Sequence, residues 1–182
     1  MTSSNNELPH WDLTVVYPGL DSPEFRSGFS AVVEAIDDLV DLFDRRAIGQ
    51  QDPAPLSKDT VRGFEEIVDR FNPVLEETNT LAAYIWGFVT TDSRDELAQA
   101  KLSELELHTL KLSLLGTRFT AWVGSLDVEG LIERSESAAA HRFMLHQAKK
   151  EAEHLMAPAE EALAAELELM GSTAWSKLFG NF

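Results

Sequence analysis

Apolar residues in the first half of the chain recur at intervals of three and four positions, which places them along one face of an α-helix. The first such stripe predicts a helix that begins near Pro23 and ends before Gly49, where a proline-rich segment follows. Proline suits a first helical turn because the N–H that it lacks would have no partner there. The residues of this stripe are Phe25, Phe29, Val32, Ile36, Leu39 and Phe43.

A second, longer stripe predicts a helix that begins near Ser57. Pro73 lies inside it. Because proline cannot donate a backbone hydrogen bond and clashes with the preceding turn, we expect a kink or a break near Asn72. The residues of this stripe are Val61, Phe64, Val68, Phe71, Leu75, Thr78, Ala82, Ile85 and Val89.

A third helix is predicted after the turn at 91–94, because Ser93 and Glu96 have the spacing of a capping box. It carries two apolar stripes, so we expect it to contact neighbours on two sides and to lie centrally. Gly116 interrupts one stripe and is expected to allow a close helix crossing. The two stripes are Ala98, Leu102, Leu105, Leu112, Phe119 and Val123, and Leu107, Leu110, Leu114 and Ala121.

Shorter helices are predicted in the last third of the chain. Asp127 can cap a short helix through Leu131, and a further helix is expected from about Ser137. Another begins at Pro158 and is expected to end at Gly171, before a last helical turn. No stretch of useful length alternates between apolar and polar residues as a strand would.

These patterns predict an all-α protein, formed by a bundle of long antiparallel helices with a kinked second helix, followed by shorter helices. An extended N-terminal strap precedes the bundle. We expect the strap to cover residues 1–22, the long-helix bundle residues 23–126, and the shorter helices residues 127–182.

Four large apolar residues lie on short terminal segments that cannot bury them alone. Three are in the strap and one follows the glycine near the other end of the chain. We predict that they contact another domain, because apolar side chains of this size gain about 1.5–3 kcal/mol from burial. These predicted docking residues are Trp11, Leu13, Tyr17 and Trp175.

The net charge of the chain limits the classes of partner that it is expected to bind. It carries 31 acidic residues against 15 basic ones, a formal net charge of -16. Such a chain repels nucleic-acid phosphates and anionic lipid surfaces, so we expect neither nucleic acid nor membrane as a partner. It has no cysteine and no run of about 20 apolar residues, and from its first residues we expect no signal peptide. Together these features predict a soluble, cytoplasmic protein.

The sequence contains no recognisable catalytic motif, neither His-Glu-x-x-His nor a phosphate-binding glycine loop. His146 and His154 are separated by about 12 Å along a helix, too far to share one ion. Glu151 and His154 form a single Glu-x-x-His pair, whereas a di-iron bundle needs two. Glu104 and His108 share a helix face but lie in a polar stripe. We predict no catalytic, cofactor-binding or metal-binding residue, with a metal-binding bundle as an open alternative.

Several short motifs, in this order along the chain, resemble the N-terminal region of oligoendopeptidase F, a family of the thimet-oligopeptidase superfamily of zinc metallopeptidases. The segment Trp11-Asp12-Leu13-Thr14 is similar to the opening strap of that family, and Tyr84 to Ser93 to its tyrosine-rich helix and following turn. The strongest similarity is in residues 154–167, which are followed by a Gly-x-x-Ala-Trp segment at 171–175. Ala157 stands where the family usually has a capping serine.

The resemblance implies a non-catalytic helical domain that forms part of the wall of a channel admitting short peptides. In this family a downstream catalytic domain binds zinc through a His-Glu-x-x-His helix, which these residues lack. We therefore expect this chain alone to be inactive, with no cofactor of its own and zinc in the full-length enzyme. Its partners would be the C-terminal catalytic domain and, through the full-length enzyme, short peptides. A stand-alone helical interaction module without enzymatic activity remains the alternative; the oligomeric state is open.

Overall fold

The computed structural model describes residues 12–180, except for the side chain of Lys177. No strand occurs in this range, and the prediction of an all-α fold is confirmed. The helical elements are α1 (Pro23–Arg45), α2 (Lys58–Thr91), α3 (Glu96–Ser125), α4 (Val128–Arg134), α5 (Glu136–Ala140), α6 (Arg142–Ala152), α7 (Pro158–Glu168), a π turn (Leu169–Thr173) and α8 (Ala174–Gly180).

Helices α1 and α2 are antiparallel. Arg46, which follows α1, donates a hydrogen bond of 2.6 Å to Glu66 near the start of α2. At the other end of the pair, Phe25 of α1 packs against Tyr84 near the end of α2. The hydrogen bond and the charge of Glu66 raise the pKa of the Arg46 guanidinium, which therefore stays charged in this pair.

Helix α3 runs parallel to α1 and lies at the centre of the fold. Lys111 contacts Asp37 at 2.5 Å and Arg118 contacts Asp44 at 2.8 Å, so positions later in α3 meet positions later in α1. Helix α3 also packs against α2, α6 and α7. The predicted central position of this helix is therefore confirmed. Its second apolar stripe is not buried, however, because Leu107 is 60% exposed and the other three residues of that stripe are only half-buried.

The predicted stripe of α1 is buried at every position. At the C-terminal end of this stripe, aromatic rings from all three long helices contact one another, with centroid distances between neighbours of 5.8 to 6.5 Å. Full burial of one such ring contributes about 1.5–3 kcal/mol, so this cluster is a principal source of stability for the bundle. The cluster consists of Phe43, Phe64, Phe71, Phe119 and Trp122.

Pro73 lies in the middle of α2, which nevertheless continues without a break from Lys58 to Thr91. Of the two predicted outcomes, the break does not occur, and the kink stays a prediction. Both Pro73 and Asp69 are exposed. The carbonyl of Asp69, whose helical donor is missing, therefore lies where water can bind it, and the helix can continue.

The start of α3 differs from the predicted capping box of Ser93 and Glu96. The cap is Asp95, whose carboxylate accepts a hydrogen bond of 2.9 Å from the backbone N–H of Ala98. Asp92 accepts a hydrogen bond from the backbone two residues on and so holds the preceding turn. The helix therefore begins later than the capping-box pattern predicts, with an aspartate cap of similar strength.

The glycine predicted to permit a close helix crossing is the wrong one. A Cβ atom at Gly116 would meet nothing within 4 Å. The close crossing instead involves Gly124, where a Cβ atom would collide with Ala152 of α6. Helices α3 and α6 therefore approach each other at the C-terminal ends of both helices.

The short helices follow the predicted caps only in part. Asp127 caps α4 by accepting a hydrogen bond of 3.1 Å from the N–H of Gly130. The helix predicted from about Ser137 begins one residue earlier and is interrupted at His141, which separates α5 from α6. These helices add six apolar residues to the core of the bundle: Val128, Leu131, Ile132, Ala138, Leu145 and Ala148.

Helix α7 begins at Pro158, as predicted. Gly171 does not end the helical path, contrary to the prediction. It lies in the π turn Leu169–Thr173, after which α8 continues. A π turn takes up an extra residue within a helix by hydrogen-bonding to the fifth residue along the chain.

Candidate interaction surface

An apolar groove with a volume of about 710 Å³ lies between α3, the end of α6, the start of α7 and the loop 49–53. A groove of this size falls within the range of pockets that hold small ligands or peptide side chains. Its apolar lining includes Leu114, Ala121, Leu155, Met156 and Ala162.

The basic groups beside the groove are already bonded to the protein. Arg118 donates one hydrogen bond of 2.9 Å to the carbonyl of Ile48 and another of 2.8 Å to Asp44. Lys149 donates a hydrogen bond of 3.0 Å to the carbonyl of Leu126. The two bonds of Arg118 attach α3 to the end of α1 and to the residue that precedes the loop 49–53. The bond of Lys149 attaches α6 to the residue that follows α3. These two cations therefore hold the walls of the groove, whose lining combines apolar side chains with carboxylates.

Two of the predicted docking residues pack on helices of this chain. A Cβ atom at Gly87 of α2 would come within 2.9 Å of Leu13, and one at Gly28 of α1 within 2.5 Å of the Tyr17 hydroxyl. The Tyr84 hydroxyl donates a hydrogen bond of 2.9 Å to the carbonyl of Tyr17. The described residues of the strap therefore lie on α1 and α2. A role of these side chains in contacting another domain stays a prediction.

The other two predicted docking residues have different positions. Trp11 lies outside the described residues. Trp175 lies in α8 with 70% of its surface exposed, which is the environment expected of a residue that contacts a partner. Its docking role also stays a prediction.

Two ionisable groups near the strap have shifted pKa values. The hydrogen bonds from the side chain and backbone of Thr14 lower the pKa of the Asp12 carboxyl. Burial raises the pKa of the Tyr84 hydroxyl, and the neighbouring Tyr17 and Asp21 add to this shift. The raised value means that Tyr84 keeps the proton with which it binds the strap.

The described residues include no group of three or more His, Asp or Glu side chains that could hold a metal ion. His146 Nε2 lies 3.7 Å from the Glu129 carboxylate, and Glu151 accepts a hydrogen bond from Gln147. No helix in the described part of the chain is long and apolar enough to cross a membrane.

Helix α7, the π turn and α8 expose a series of large apolar side chains. Each of them is more than half exposed. Sequence reasoning missed most of them as an interaction surface, although the first three have the spacing of four and three positions that marks a helix face. They are Leu163, Leu167, Met170, Trp175 and Phe179.

The fold and this surface define a helical domain with an apolar groove and an uncovered apolar helix face. Residues 125–181 match the family model of the oligopeptidase F N-terminal domain. The matched segment begins at the end of α3 and includes α4 to α8, so it contains the exposed face. The resemblance predicted from the sequence is confirmed for this segment, which is less than half of the chain. Neither a curated protein nor a solved structure matches the chain significantly.

Proposed function

We propose that this chain is the non-catalytic N-terminal helical domain of an oligoendopeptidase F-like zinc metallopeptidase that hydrolyses short peptides. On this proposal its helices form part of the wall of the substrate channel, and residues 127–182 lead toward the catalytic domain. Zinc would be bound by that catalytic domain, and the enzyme would act in the cytoplasm. The observation that carries the proposal is the family match over residues 125–181.

The groove between α3, α6 and α7 supports a role as channel wall. It is open, it is lined mainly by apolar side chains, and the bonds of Arg118 and Lys149 hold its edges. Its lining residues Leu155, Met156 and Ala162 belong to the family-matched segment. A wall of this kind accommodates side chains of many peptides, because apolar contact is not directional.

The test is complementation of a peptidase. The chain is mixed with an oligopeptidase F enzyme whose own N-terminal region has been deleted, and hydrolysis of a short fluorogenic peptide is measured. We expect no hydrolysis by the chain alone and hydrolysis by the mixture. A matched variant, Ala121→Trp, narrows the groove and should raise the KM of the mixture. The proposal is contradicted if the family's own N-terminal region restores activity and this chain does not.

A stand-alone helical interaction module is a second candidate function. The exposed apolar side chains of α7 and α8 favour it, because uncovered apolar patches mark sites of protein association. Such a module would bind a partner without zinc-dependent hydrolysis. Restored peptidase activity in the mixture would reject this candidate.

A further inference from the structure

The π turn between α7 and α8 changes which residues of the two helices share a face. In an α-helix each residue advances by about 100°, so Leu163, Leu167 and Met170 lie within about 60° of one another. Continued in the same helix, Trp175 would lie about 120° away from Leu163. A π turn holds about one residue more than an α turn, and so rotates α8 back by about one residue. Trp175 then falls in line with Leu163.

The same rotation brings Phe179 to within about 60° of this line, because it follows Trp175 by one helical turn. The result is one continuous apolar stripe along α7 and α8. We call it the α7–α8 stripe, consisting of Leu163, Leu167, Met170, Trp175 and Phe179. The opposite side of α7 packs against α3, so the stripe faces away from the bundle.

Acidic side chains border the stripe on α7. Glu160 and Glu166 lie about 60° to either side of Leu163, and α7 carries no lysine or arginine. The Glu160 carboxylate also accepts a hydrogen bond of 3.0 Å from the N–H of Ala157, which holds it at the start of α7. A second copy of the chain would bring the same acids against them, in a protein with a formal net charge of -16. Like charges facing each other across an interface disfavour association. The charge therefore selects a partner of opposite sign.

We infer that the α7–α8 stripe docks on a protein surface in which an apolar ridge is flanked by lysine and arginine side chains. The identity of that surface rests on the proposed function, under which it belongs to the catalytic domain of the peptidase. Apolar contact along the stripe supplies the affinity, and the flanking charges determine which surface binds and in which orientation.

The test uses two synthetic amphipathic helical peptides as probes. Both have leucine along one face; one has lysine at the flanking positions and the other has glutamate. Binding to the whole chain is measured by fluorescence anisotropy of the labelled peptide. We expect the lysine peptide to bind at least about tenfold more tightly than the glutamate peptide, and its affinity to fall as salt is added.

Two variants test whether the stripe is the binding face. Deletion of Gly171 converts the π turn to an α turn and rotates Trp175 away from Leu163 without removing any apolar side chain. The double substitution Leu167→Ser and Trp175→Ser keeps the charge and the helix register but removes apolar contact. Each should weaken binding of the lysine peptide by about tenfold or more. Phe143→Ser, which changes a residue of α6 that is 83% exposed, is the matched control and should leave binding unchanged.

Three results would overturn the inference. The first is equal binding of both peptides, and the second is undiminished binding by the double variant. The third is that the chain sediments as a dimer and the double variant as a monomer. The stripe would then bind a second copy of the chain. If deletion of Gly171 unfolds the chain, the double variant decides. The binding measurement does not involve a peptidase. If the chain binds the lysine peptide through the α7–α8 stripe but does not restore activity in the complementation test, the proposed function is rejected and the inferred docking stands.

Discussion

Gly124 of α3 and Ala152 of α6 lie so close together that no side-chain atom fits between them on the α3 side. This contact joins the long-helix bundle to the segment that matches the oligopeptidase F N-terminal domain. It also lies beside the apolar groove, which both residues line. The crossing therefore sets the separation of two walls of the groove as well as the docking of α6.

Gly124→Ala should destabilise the protein relative to Gly116→Ala. Both changes gain helix propensity, about 1 kcal/mol each. Only the first inserts a Cβ atom into a closed contact, which costs about 1–3 kcal/mol. We expect the difference to appear in the midpoint of urea unfolding, with similar slopes for the two variants.

The double variant Gly124→Ala with Ala152→Gly is the control for this contact. It moves the methyl group from one helix to the other, so we expect recovery of most of the lost stability. If the loss of stability in the double variant equals the sum of the losses in the two single variants, this contact does not limit the approach of the helices.

Tyr84→Phe should weaken attachment of the strap. It removes the hydrogen bond from the Tyr84 hydroxyl to the carbonyl of Tyr17 and keeps the ring contacts with Tyr17 and Phe25. We expect a loss of about 0.5–1.5 kcal/mol in the free energy of unfolding, and faster proteolytic cleavage near Asp12. Tyr17→Phe is the matched control. An equal effect of both substitutions would contradict a specific role for the Tyr84 hydroxyl.

The raised pKa of Tyr84 predicts a loss of stability at high pH. A group whose pKa is higher in the folded than in the unfolded chain stabilises fully below its unfolded pKa, which is about 10 for tyrosine. That stability is lost as the pH rises through the folded value. In the Tyr17→Phe variant, tyrosinate absorbance should report Tyr84 alone, with a higher midpoint in the folded chain than in urea. Equal midpoints would refute this.

Helix formation could be predicted from the sequence because it depends on local spacing and caps. The stripe of Phe25, Phe29 and Val32 identified α1, and all three residues are buried. Leu163 and Leu167 repeat the same spacing, yet they are exposed. Spacing shows that apolar residues share a face; whether another element covers that face depends on the tertiary arrangement.

The predictions made at glycine residues failed for two different reasons. Gly116 and Gly124 both lie in α3, and only the path of α6, which comes later in the chain, decides which of them is crossed. Gly171 has neighbours typical of a helix end, but no turn forms there and the helical path continues through a π turn. The register of the exposed stripe depends on that turn, so the sequence pattern alone could not align Trp175 with Leu163.

Ser135→Ala should be among the more destabilising single-atom changes in the chain. Ser135 is 4% exposed, and its hydroxyl donates a hydrogen bond of 2.7 Å to Glu65 of α2 and accepts one of 3.2 Å from the N–H of Ala138. The change removes the cap of α5 and its tether to the bundle together, so we expect a loss of about 1–3 kcal/mol in the free energy of unfolding.

The matched control for this prediction is Ser137→Ala in the same short helix, where the serine is less buried and does not cap α5. Its effect should stay within about 0.5 kcal/mol. Hydrogen exchange of the α5 amides gives a second measurement, because loss of the cap should speed exchange there before global unfolding. Equal unfolding midpoints for the two variants would mean that the bond to Glu65 does not hold α5 against α2, and that apolar contacts such as those of the buried Ala138 do so instead.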